Sequence, residues 1–257
     1  MYLPLVLMLF FATTIVSKYG PIYWKCSQDH YIPSSSYEFN LRLLLTNLTT
    51  SASKSQNLYS ALSTIGVSGV AQCRPDITQL ACAFCLNDSS SSHVCRQSFS
   101  AVIYRDLCLL SYRNNSFSFS TDHLTLGTVS STLISSNSYD FGRRVVELML
   151  RIAWEATMLT DKFAVGVVDA GYVQNQKIYG MVWCIMELTS KNCFDCLLNG
   201  VSQLRYALRG GSFYHYSCLL RFELYLFFDE HFLENTTSLE LDAAGGAGGQ
   251  GECSLKS

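Results

Sequence analysis

Cysteine is the residue type whose spacing says most about chemistry in this chain. Eleven cysteines occur among 257 residues. Two triplets share a spacing of eight and then two intervening residues: Cys73, Cys82 and Cys85, followed by Cys184, Cys193 and Cys196. Such spacing suits disulfide bridges, and a Cys-x2-Cys pair is also typical of zinc ligands. Two copies of one unusual spacing predict a tandem repeat of one small cysteine-framed domain.

A zinc centre would need a second close pair of ligands beside each Cys-x2-Cys pair. The five histidines offer none: His30, His93, His123, His215 and His231. The N-terminus favours disulfides instead, because residues 1–16 read MYLPLVLMLFFATTIV, an apolar run with the length of a signal-peptide core. A membrane anchor would need about 20 apolar residues. We therefore expect a signal peptide over residues 1–20, secretion, disulfide bridges, no metal and no transmembrane segment in the mature chain.

The two repeats differ in their number of cysteines, and this difference predicts one bridge. Repeat one holds six cysteines, whereas repeat two has no counterpart of Cys26 or Cys95. Tyr206 stands where the counterpart of Cys95 would be. Because two cysteines that are missing together are expected to be partners, we predict a Cys26–Cys95 bridge.

The other four cysteines of repeat one allow three pairings. A bridge between Cys82 and Cys85 is geometrically poor, because both residues are predicted to lie on one helix. Two pairings stay open: Cys73–Cys82 with Cys85–Cys108, or Cys73–Cys85 with Cys82–Cys108. Cys253 is left without a predicted partner.

Apolar periodicity places the cysteines of repeat one on predicted elements. Apolar residues recur at helical spacing over residues 37–51, which predicts a first helix. A second helix is expected to carry Cys82 and Cys85 on one face, with Asp76 as its N-cap. The predicted strands of repeat one lie within three ranges: 60–72, 101–104 and 108–112.

Repeat two follows the same order of predicted elements. Cys184 comes 111 residues after Cys73, and a strongly amphipathic helix covers residues 141–156. Its predicted strands lie within four ranges: 163–168, 178–183, 213–216 and 219–228. Gly210 and Gly211 predict a turn.

Composition and motifs exclude several functions. The net charge is −2 and no basic run is present, so nothing predicts nucleic-acid binding. The sequence has no Gly-x-Ser-x-Gly elbow, no His-Glu-x-x-His motif and no phosphate-binding glycine loop. His93 and His215 are single histidines in a predicted loop and a predicted strand. We therefore expect a protein that is not an enzyme and needs no cofactor.

The C-x8-C-x2-C spacing follows a glycine-bearing strand and precedes a further cysteine and a Leu-x-x-Tyr/Phe strand. This pattern resembles the ginkbilobin-homologous, or stress-antifungal, domain of plants. A leader and two such domains without a kinase are similar to a plant cysteine-rich repeat secretory protein, and the same tandem forms the ectodomain of cysteine-rich receptor-like kinases. The resemblance implies an α+β fold of two tandem small disulfide-framed domains, each an antiparallel sheet of about five strands packed with two helices. The implied organisation is a first domain at residues 22–120, a linker at 121–136, a second domain at 137–232 and a flexible tail at 233–257.

The resemblance also implies a pairing of the cysteines, namely first to fifth, second to third and fourth to sixth. The first of these agrees with the predicted Cys26–Cys95 bridge. The others select four bridges: Cys73–Cys82, Cys85–Cys108, Cys184–Cys193 and Cys196–Cys218.

Ginkbilobin resembles a mannose-binding antifungal lectin, and its sugar site uses an asparagine, an arginine and a glutamate. Repeat one has Ser27, Val102 and Arg113 at these positions. Repeat two has Ser212 at the arginine position and keeps only the glutamate, as Glu223, which we expect to face solvent on a strand. One carboxylate does not supply both donors and acceptors to a sugar. No sugar binding is therefore expected at the family positions.

We expect a secreted apoplastic protein that acts as a protein-interaction module in plant stress or defence signalling. It would dock through its sheet faces and aromatic surface onto another extracellular protein or a receptor ectodomain. One alternative is a carbohydrate-binding, antifungal, lectin-like protein with a glycan as its partner. Another is a kinase-less relative of a cysteine-rich receptor-like kinase ectodomain. Four sequons are candidate glycosylation sites: Asn47, Asn87, Asn114 and Asn235.

Overall fold

A computed structural model describes residues 23–91, 93–114, 125–133, 138–171 and 175–233. The expected signal peptide, the sequon at Asn235 and Cys253 lie outside these residues. Within them, no helix combines the length and the apolar character needed to cross a membrane.

The first half of the described chain forms one antiparallel sheet with two helices. Its elements are β1 (Tyr23–Cys26), α1 (Ser36–Lys54), β2 (Tyr59–Thr64), β3 (Val67–Cys73), α2 (Gln79–Ser91), β4 (Ala101–Tyr104) and β5 (Cys108–Arg113). The strand order in the sheet is β1-β4-β5-β3-β2. Both helices pack on one face, and Gly69 on β3 permits the close approach of α1, because a Cβ there would lie 2.6 Å from Leu48 Cδ1.

The second half repeats this topology. Its elements are β6 (Thr125–Ser130), α3 (Ser138–Met158), β7 (Phe163–Asp169), β8 (Lys177–Cys184), α4 (Ser190–Gln203), β9 (Gly210–His215) and β10 (Cys218–Glu223). The strand order is β6-β9-β10-β8-β7, which matches the first sheet strand for strand. The predicted α+β fold of two tandem domains, each with a five-stranded antiparallel sheet and two helices, is confirmed.

The expected linker at residues 121–136 is wrong in one respect, because it contains β6. This strand pairs with β9 through residues Thr125 to Ser130 and forms an edge of the second sheet. Its residues are Thr, Leu, Gly, Thr, Val and Ser, and their small polar side chains resemble those of a loop. The second domain therefore begins before residue 137.

The N-cap predicted for the second helix is also wrong. The hydroxyl of Thr78, rather than Asp76, accepts a hydrogen bond from the backbone N–H of Ala81, at 3.2 Å. Thr189 caps α4 in the same way. The carboxylate of Asp76 is instead paired with Arg74.

The final strand and the glycine turn of repeat two also differ from the prediction. β10 ends at Glu223 rather than Phe228. Gly210 and Gly211 lie in β9, where the side chain of Glu223 crosses the backbone. A Cβ on Gly210 would lie 2.3 Å from Glu223 Oε2, so glycine at this position serves close packing rather than a turn.

The described residues contain five disulfide bridges. They join Cys26 to Cys95, Cys73 to Cys82, Cys85 to Cys108, Cys184 to Cys193 and Cys196 to Cys218. The two motif bridges occupy equivalent places in both halves. In repeat two, the ring of Tyr206 packs against that of Phe222, and the Cβ of Tyr206 would lie 3.2 Å from a Cβ on Gly142. Tyr206 stands at the sequence position where repeat one has Cys95.

A third apolar core lies between the two sheets. It combines Val70, Val102, Tyr104 and Leu109 of the first half with Leu126, Phe163, Val165, Met181, Trp183, Ile185, Tyr214, Leu219 and Phe228 of the second. Each sheet thus has its own helices on one face and the other sheet on its opposite face. We call this contact the intersheet core.

The chain beyond β10 crosses the intersheet core as a strap, residues 224–233. The ring of Phe228 packs on Tyr179, and that of Phe232 packs on Phe163. The backbone N–H of Asp229 donates to Asp76 Oδ2 at 3.0 Å, which ties the strap to the first half. Leu233, expected to begin a flexible tail, packs against the same core.

Candidate functional site

The family's sugar-binding positions are largely closed in this chain. Val102 is only 1% exposed and belongs to the intersheet core. Its counterpart Ser212 is also buried. Ser27 is half-buried, and its hydroxyl accepts a hydrogen bond from the backbone N–H of Ser100 at 3.2 Å. Arg113 lies with its guanidinium carbon 6.0 Å from the ring centre of Tyr216, which belongs to the second half.

Glu223 does not face solvent as predicted. Its side chain is 18% exposed, and it accepts a hydrogen bond from Arg221 Nε at 3.1 Å. Burial raises the pKa of Glu223, while the positive charge of Arg221 lowers it. Arg221 also donates to Asp106 Oδ1 at 2.6 Å, and its guanidinium lies 4.4 Å from the ring centre of Phe227. Glu223 is therefore part of an ionic contact between the two halves.

The expectation that the protein docks through its sheet faces is wrong for the described residues, because both faces of each sheet are covered. One face of each sheet is covered by helices, and the other face is buried in the intersheet core. The outer side of the two helices in each half is accessible instead.

The outer side of α3 carries an apolar stripe. Leu150, Trp154 and Met158 recur at intervals of four residues and so lie along one side of the helix. Trp154 is 56% exposed and Met158 is 62% exposed. Salt bridges from Arg143 to Glu147 and from Arg151 to Glu155 lie on the same helix. We call these three apolar residues the α3 stripe.

The equivalent helix of repeat one differs at one position of the stripe. Phe39 and Leu43 of α1 are exposed and correspond to Leu150 and Trp154 at the offset of 111 residues. The third position, opposite Met158, is the sequon residue Asn47, which is exposed. Asn87 on α2 is likewise exposed, and Leu198 takes its place in repeat two.

The sequon residues that the structure describes are all accessible. Asn47, Asn87 and Asn114 are exposed, on α1, on α2 and directly after β5. Use of these sites stays a prediction.

A cavity of about 340 Å³ opens in repeat two beside the Cys196–Cys218 bridge. It is lined by Leu188, Asn192, Asp195, Cys196, Asn199, His215 and Ser217. His215 is buried, and its Nδ1 lies 3.3 Å from Cys196 Sγ. The backbone N–H of Ser217 donates to the same Nδ1 at 3.2 Å. His215 was expected to be an isolated strand histidine, and the β9–β10 hairpin brings it to the bridge.

Repeat one has an arginine in place of this histidine. Arg105 stands three residues before Cys108, as His215 stands three residues before Cys218. Its guanidinium forms a 2.7 Å ion pair with Asp88 and donates to Ser89 Oγ at 3.0 Å. The two repeats therefore surround an equivalent disulfide with different chemistry.

Comparison with known proteins identifies the class of this fold. The family model described as salt stress response/antifungal matches residues 25–115 and 128–225. The chain belongs to this stress-antifungal family, with one copy of the domain in each half, and the predicted resemblance is confirmed.

Individual relatives differ in length. The chain is 30% identical to the antimicrobial ginkbilobin-2-like protein of Castanea crenata, over 81% of this chain and 89% of that one. It is 31% identical to the putative cysteine-rich receptor-like protein kinase 20 of Arabidopsis thaliana, again over 81% of this chain. The match covers 32% of that kinase and 34% of the cysteine-rich receptor-like protein kinase 19 of the same plant, so the chain spans about a third of the length of these two relatives.

Solved structures show the same fold. The tandem DUF26 ectodomain of the Arabidopsis thaliana cysteine-rich receptor-like protein PDLP8 superposes with a TM-score of 0.67 at 23% identity, over 79% of this chain and 96% of that one. The ectodomain of PDLP5 gives a TM-score of 0.64 at the same identity. The chain is thus a tandem stress-antifungal module, of the kind found in receptor-like ectodomains and in a ginkbilobin-like antimicrobial protein.

Proposed function

We propose that this protein is secreted to the apoplast and acts there as a non-enzymatic protein-interaction module in plant stress or defence signalling. The observation that carries the proposal is the α3 stripe, because a large exposed tryptophan beside an exposed methionine is typical of surfaces that bind other proteins. Its partner would be another extracellular protein or a receptor ectodomain.

The distribution of sequons supports the helices of repeat two as the docking side. Glycans on Asn47 and Asn87 would cover the outer side of α1 and α2. The corresponding positions of repeat two are Met158 and Leu198, which carry no sequon. A partner would therefore meet bare apolar surface on repeat two and carbohydrate on repeat one.

The test is a binding screen with the secreted, glycosylated protein. Purified tandem stress-antifungal ectodomains would be immobilised, and binding would be followed by biolayer interferometry. For any ectodomain that binds, the double variant Trp154→Ser/Met158→Ser should weaken binding at least tenfold, since buried aromatic residues dominate such interfaces. The matched variant Phe39→Ser/Leu43→Ser on α1 should bind as the wild type does. Equal loss in both variants, or no binding to any ectodomain, would contradict the proposal.

A carbohydrate-binding antifungal activity is the second candidate. It is supported by the Castanea crenata relative, whose name describes it as antimicrobial and most of whose length this chain covers. The closed family positions weigh against a mannose site there. A glycan array that includes mannan decides between the two, because clear binding by the oxidised protein would favour the lectin function and require a different site. The remaining alternative is that the chain is a kinase-less relative of a cysteine-rich receptor-like kinase ectodomain. Such a protein could have either of these two functions.

A further inference from the structure

Cys196, His215 and Cys218 of repeat two form a buried cluster of side chains that bear metal-ligand atoms. We propose that reduction of the Cys196–Cys218 bridge lets Cys196, Cys218 and His215 bind a zinc ion. This inference is independent of the proposed function.

The geometry of the three side chains is the first argument. The two sulfurs and the His215 ring nitrogen all lie within 4.8 Å of one another. Ligand atoms around a tetrahedral zinc lie about 3.3 to 3.8 Å apart, given bonds of about 2.3 Å to sulfur and 2.0 Å to nitrogen. Rotation of the two cysteine side chains is therefore enough to bring the donors to this separation. Thiolate and imidazole are the ligand types that zinc prefers.

The fixed position of His215 is the second argument. Its ring stacks on that of Phe213 with an interplanar angle of 10°. Because the Ser217 N–H donates to Nδ1, this nitrogen carries a lone pair, and zinc would take that lone pair in place of the hydrogen bond. Tyr104 of the first half donates to the backbone carbonyl of His215 at 2.7 Å, which holds β9 in place from across the intersheet core. A ligand held by packing needs little ordering when the metal binds.

The cavity is the third argument, because it gives access to Cys196 and His215 and leaves a fourth position open. It reaches Cys196 from solvent, and it is also lined by Asp195. Three protein ligands with a fourth position open to water or to a carboxylate match the pattern of accessible zinc sites. Cys196 lines the cavity and is 6% exposed, whereas Cys218 is 1% exposed, so an entering thiolate would attack the sulfur of Cys196.

Reduction of the bridge precedes binding of the metal. A dithiol donates two electrons and two protons to the bridge, becomes a disulfide itself, and leaves Cys196 and Cys218 as thiols. Zinc binding then releases the two thiol protons to solvent, and two thiolates with a neutral imidazole hold the ion. A small-molecule disulfide would accept the two electrons of the thiolates and two protons from solvent, become two thiols, re-form the Cys196–Cys218 bridge and so release the metal.

Repeat one provides the internal control. Its equivalent bridge, Cys85–Cys108, has Arg105 where repeat two has His215. A guanidinium does not donate a lone pair to a metal, and this one is ion-paired with Asp88. Asn199 of repeat two corresponds to Asp88 at the offset of 111 residues. The double variant His215→Arg/Asn199→Asp therefore transfers the ion pair of repeat one into the cavity.

The experiment measures zinc retained by the full-length secreted chain, with Cys253→Ser throughout to remove a further thiol. Protein is treated with dithiothreitol, desalted without oxygen, mixed with zinc chloride and desalted again. Differential alkylation and peptide mapping identify the reduced cysteines, and circular dichroism checks the fold. The reduced wild type should retain about one zinc ion per chain, and replacement by cobalt should give thiolate charge-transfer absorption. The oxidised wild type and the His215→Arg/Asn199→Asp variant should each retain at least tenfold less.

A gain-of-function variant completes the test. Arg105→His/Asp88→Asn gives repeat one the residues of repeat two, and its reduced form should retain about a second zinc ion. The proposal is overturned if reduced wild type holds no more zinc than oxidised wild type, or as much as His215→Arg/Asn199→Asp. It is also overturned if reduction of Cys196–Cys218 unfolds the protein, because the ligands are then not held together.

Discussion

The Arg74–Asp76 ion pair offers a direct test of how the two halves are held together. Both side chains are almost fully buried, with 2% and 1% of their surface exposed. Arg74 donates through Nε to Asp76 Oδ1 at 2.9 Å and through Nη2 to the backbone carbonyl of Phe227 in the strap at 3.1 Å. Arg74→Ala would leave the carboxylate of Asp76 buried, with the backbone N–H of Asp229 as its remaining described hydrogen-bond donor.

The size of the effect follows from this burial. Removing one partner of a buried ion pair costs about 3 to 5 kcal/mol in the free energy of unfolding, because the other charge is left in an apolar environment. For a protein of this length, about 2 to 4 °C of melting temperature are lost per kcal/mol. We therefore expect Arg74→Ala to lower the melting temperature by about 6 to 20 °C. Calorimetry or urea denaturation followed by tryptophan fluorescence measures the change.

Two comparisons test whether burial of the ion pair causes the loss of stability in Arg74→Ala. Arg42 pairs with Glu38 at 2.6 Å, but its side chain is 78% exposed, so Arg42→Ala should leave the melting temperature unchanged. The double variant Arg74→Ala/Asp76→Ala should lose less stability than the sum of the two single variants, because it leaves no buried charge. A loss of less than about 1 kcal/mol in Arg74→Ala, or strictly additive effects in the double variant, would refute the reasoning.

Three further predictions address the closed sugar position, a close packing contact and one carboxylate. Val102→Arg restores the residue type of the family's sugar site but puts a guanidinium into the intersheet core, so it should lower the melting temperature and give no mannan binding on a glycan array. Gly200→Ala should cost about 1 to 3 kcal/mol in urea denaturation, since its Cβ would lie 2.2 Å from Leu220 Cδ1 and the core has no room to yield; full stability would contradict this. Burial raises the pKa of Asp161, so the folded protein binds this proton more tightly than the unfolded chain and the ionised carboxyl lowers stability at neutral pH. Asp161→Asn should therefore be more stable than wild type at neutral pH, and the difference should vanish as pH falls from the raised pKa through the ordinary value of 3.8; a difference that grows on acidification would reverse the assigned sign.

The helices and most strands were predictable from local patterns. The apolar periodicity over residues 37–51 and 141–156 marks α1 and α3, because each helix buries one side against its sheet. β6 was missed because its small polar residues resemble a loop, and only pairing with β9 makes it a strand. The N-cap predicted at Asp76 was wrong, because nothing in the local sequence indicates that this carboxylate forms a buried ion pair with Arg74. The hydroxyl of Thr78 takes the capping position instead.

The intersheet core was not predicted, although one signal was present. β4 reads Ala-Val-Ile-Tyr without a polar residue, and all four residues are buried. A strand that is apolar on both faces is typical of burial on both faces. The absence of alternation in β4 could therefore have indicated that a second layer covers the sheet and closes the position of Val102. The contact of His215 with Cys196 had no local signal, because 19 residues separate them along the chain.

The strap also has a mechanical consequence. Its last described residues are fixed to both halves at once, through Phe232 on Phe163 and through Asp229 on Asp76. A force applied to the chain beyond Leu233 would therefore load both sheets together instead of peeling repeat two away from repeat one. Any polypeptide or surface joined at that point would be coupled to the orientation of both repeats, because the strap contacts both.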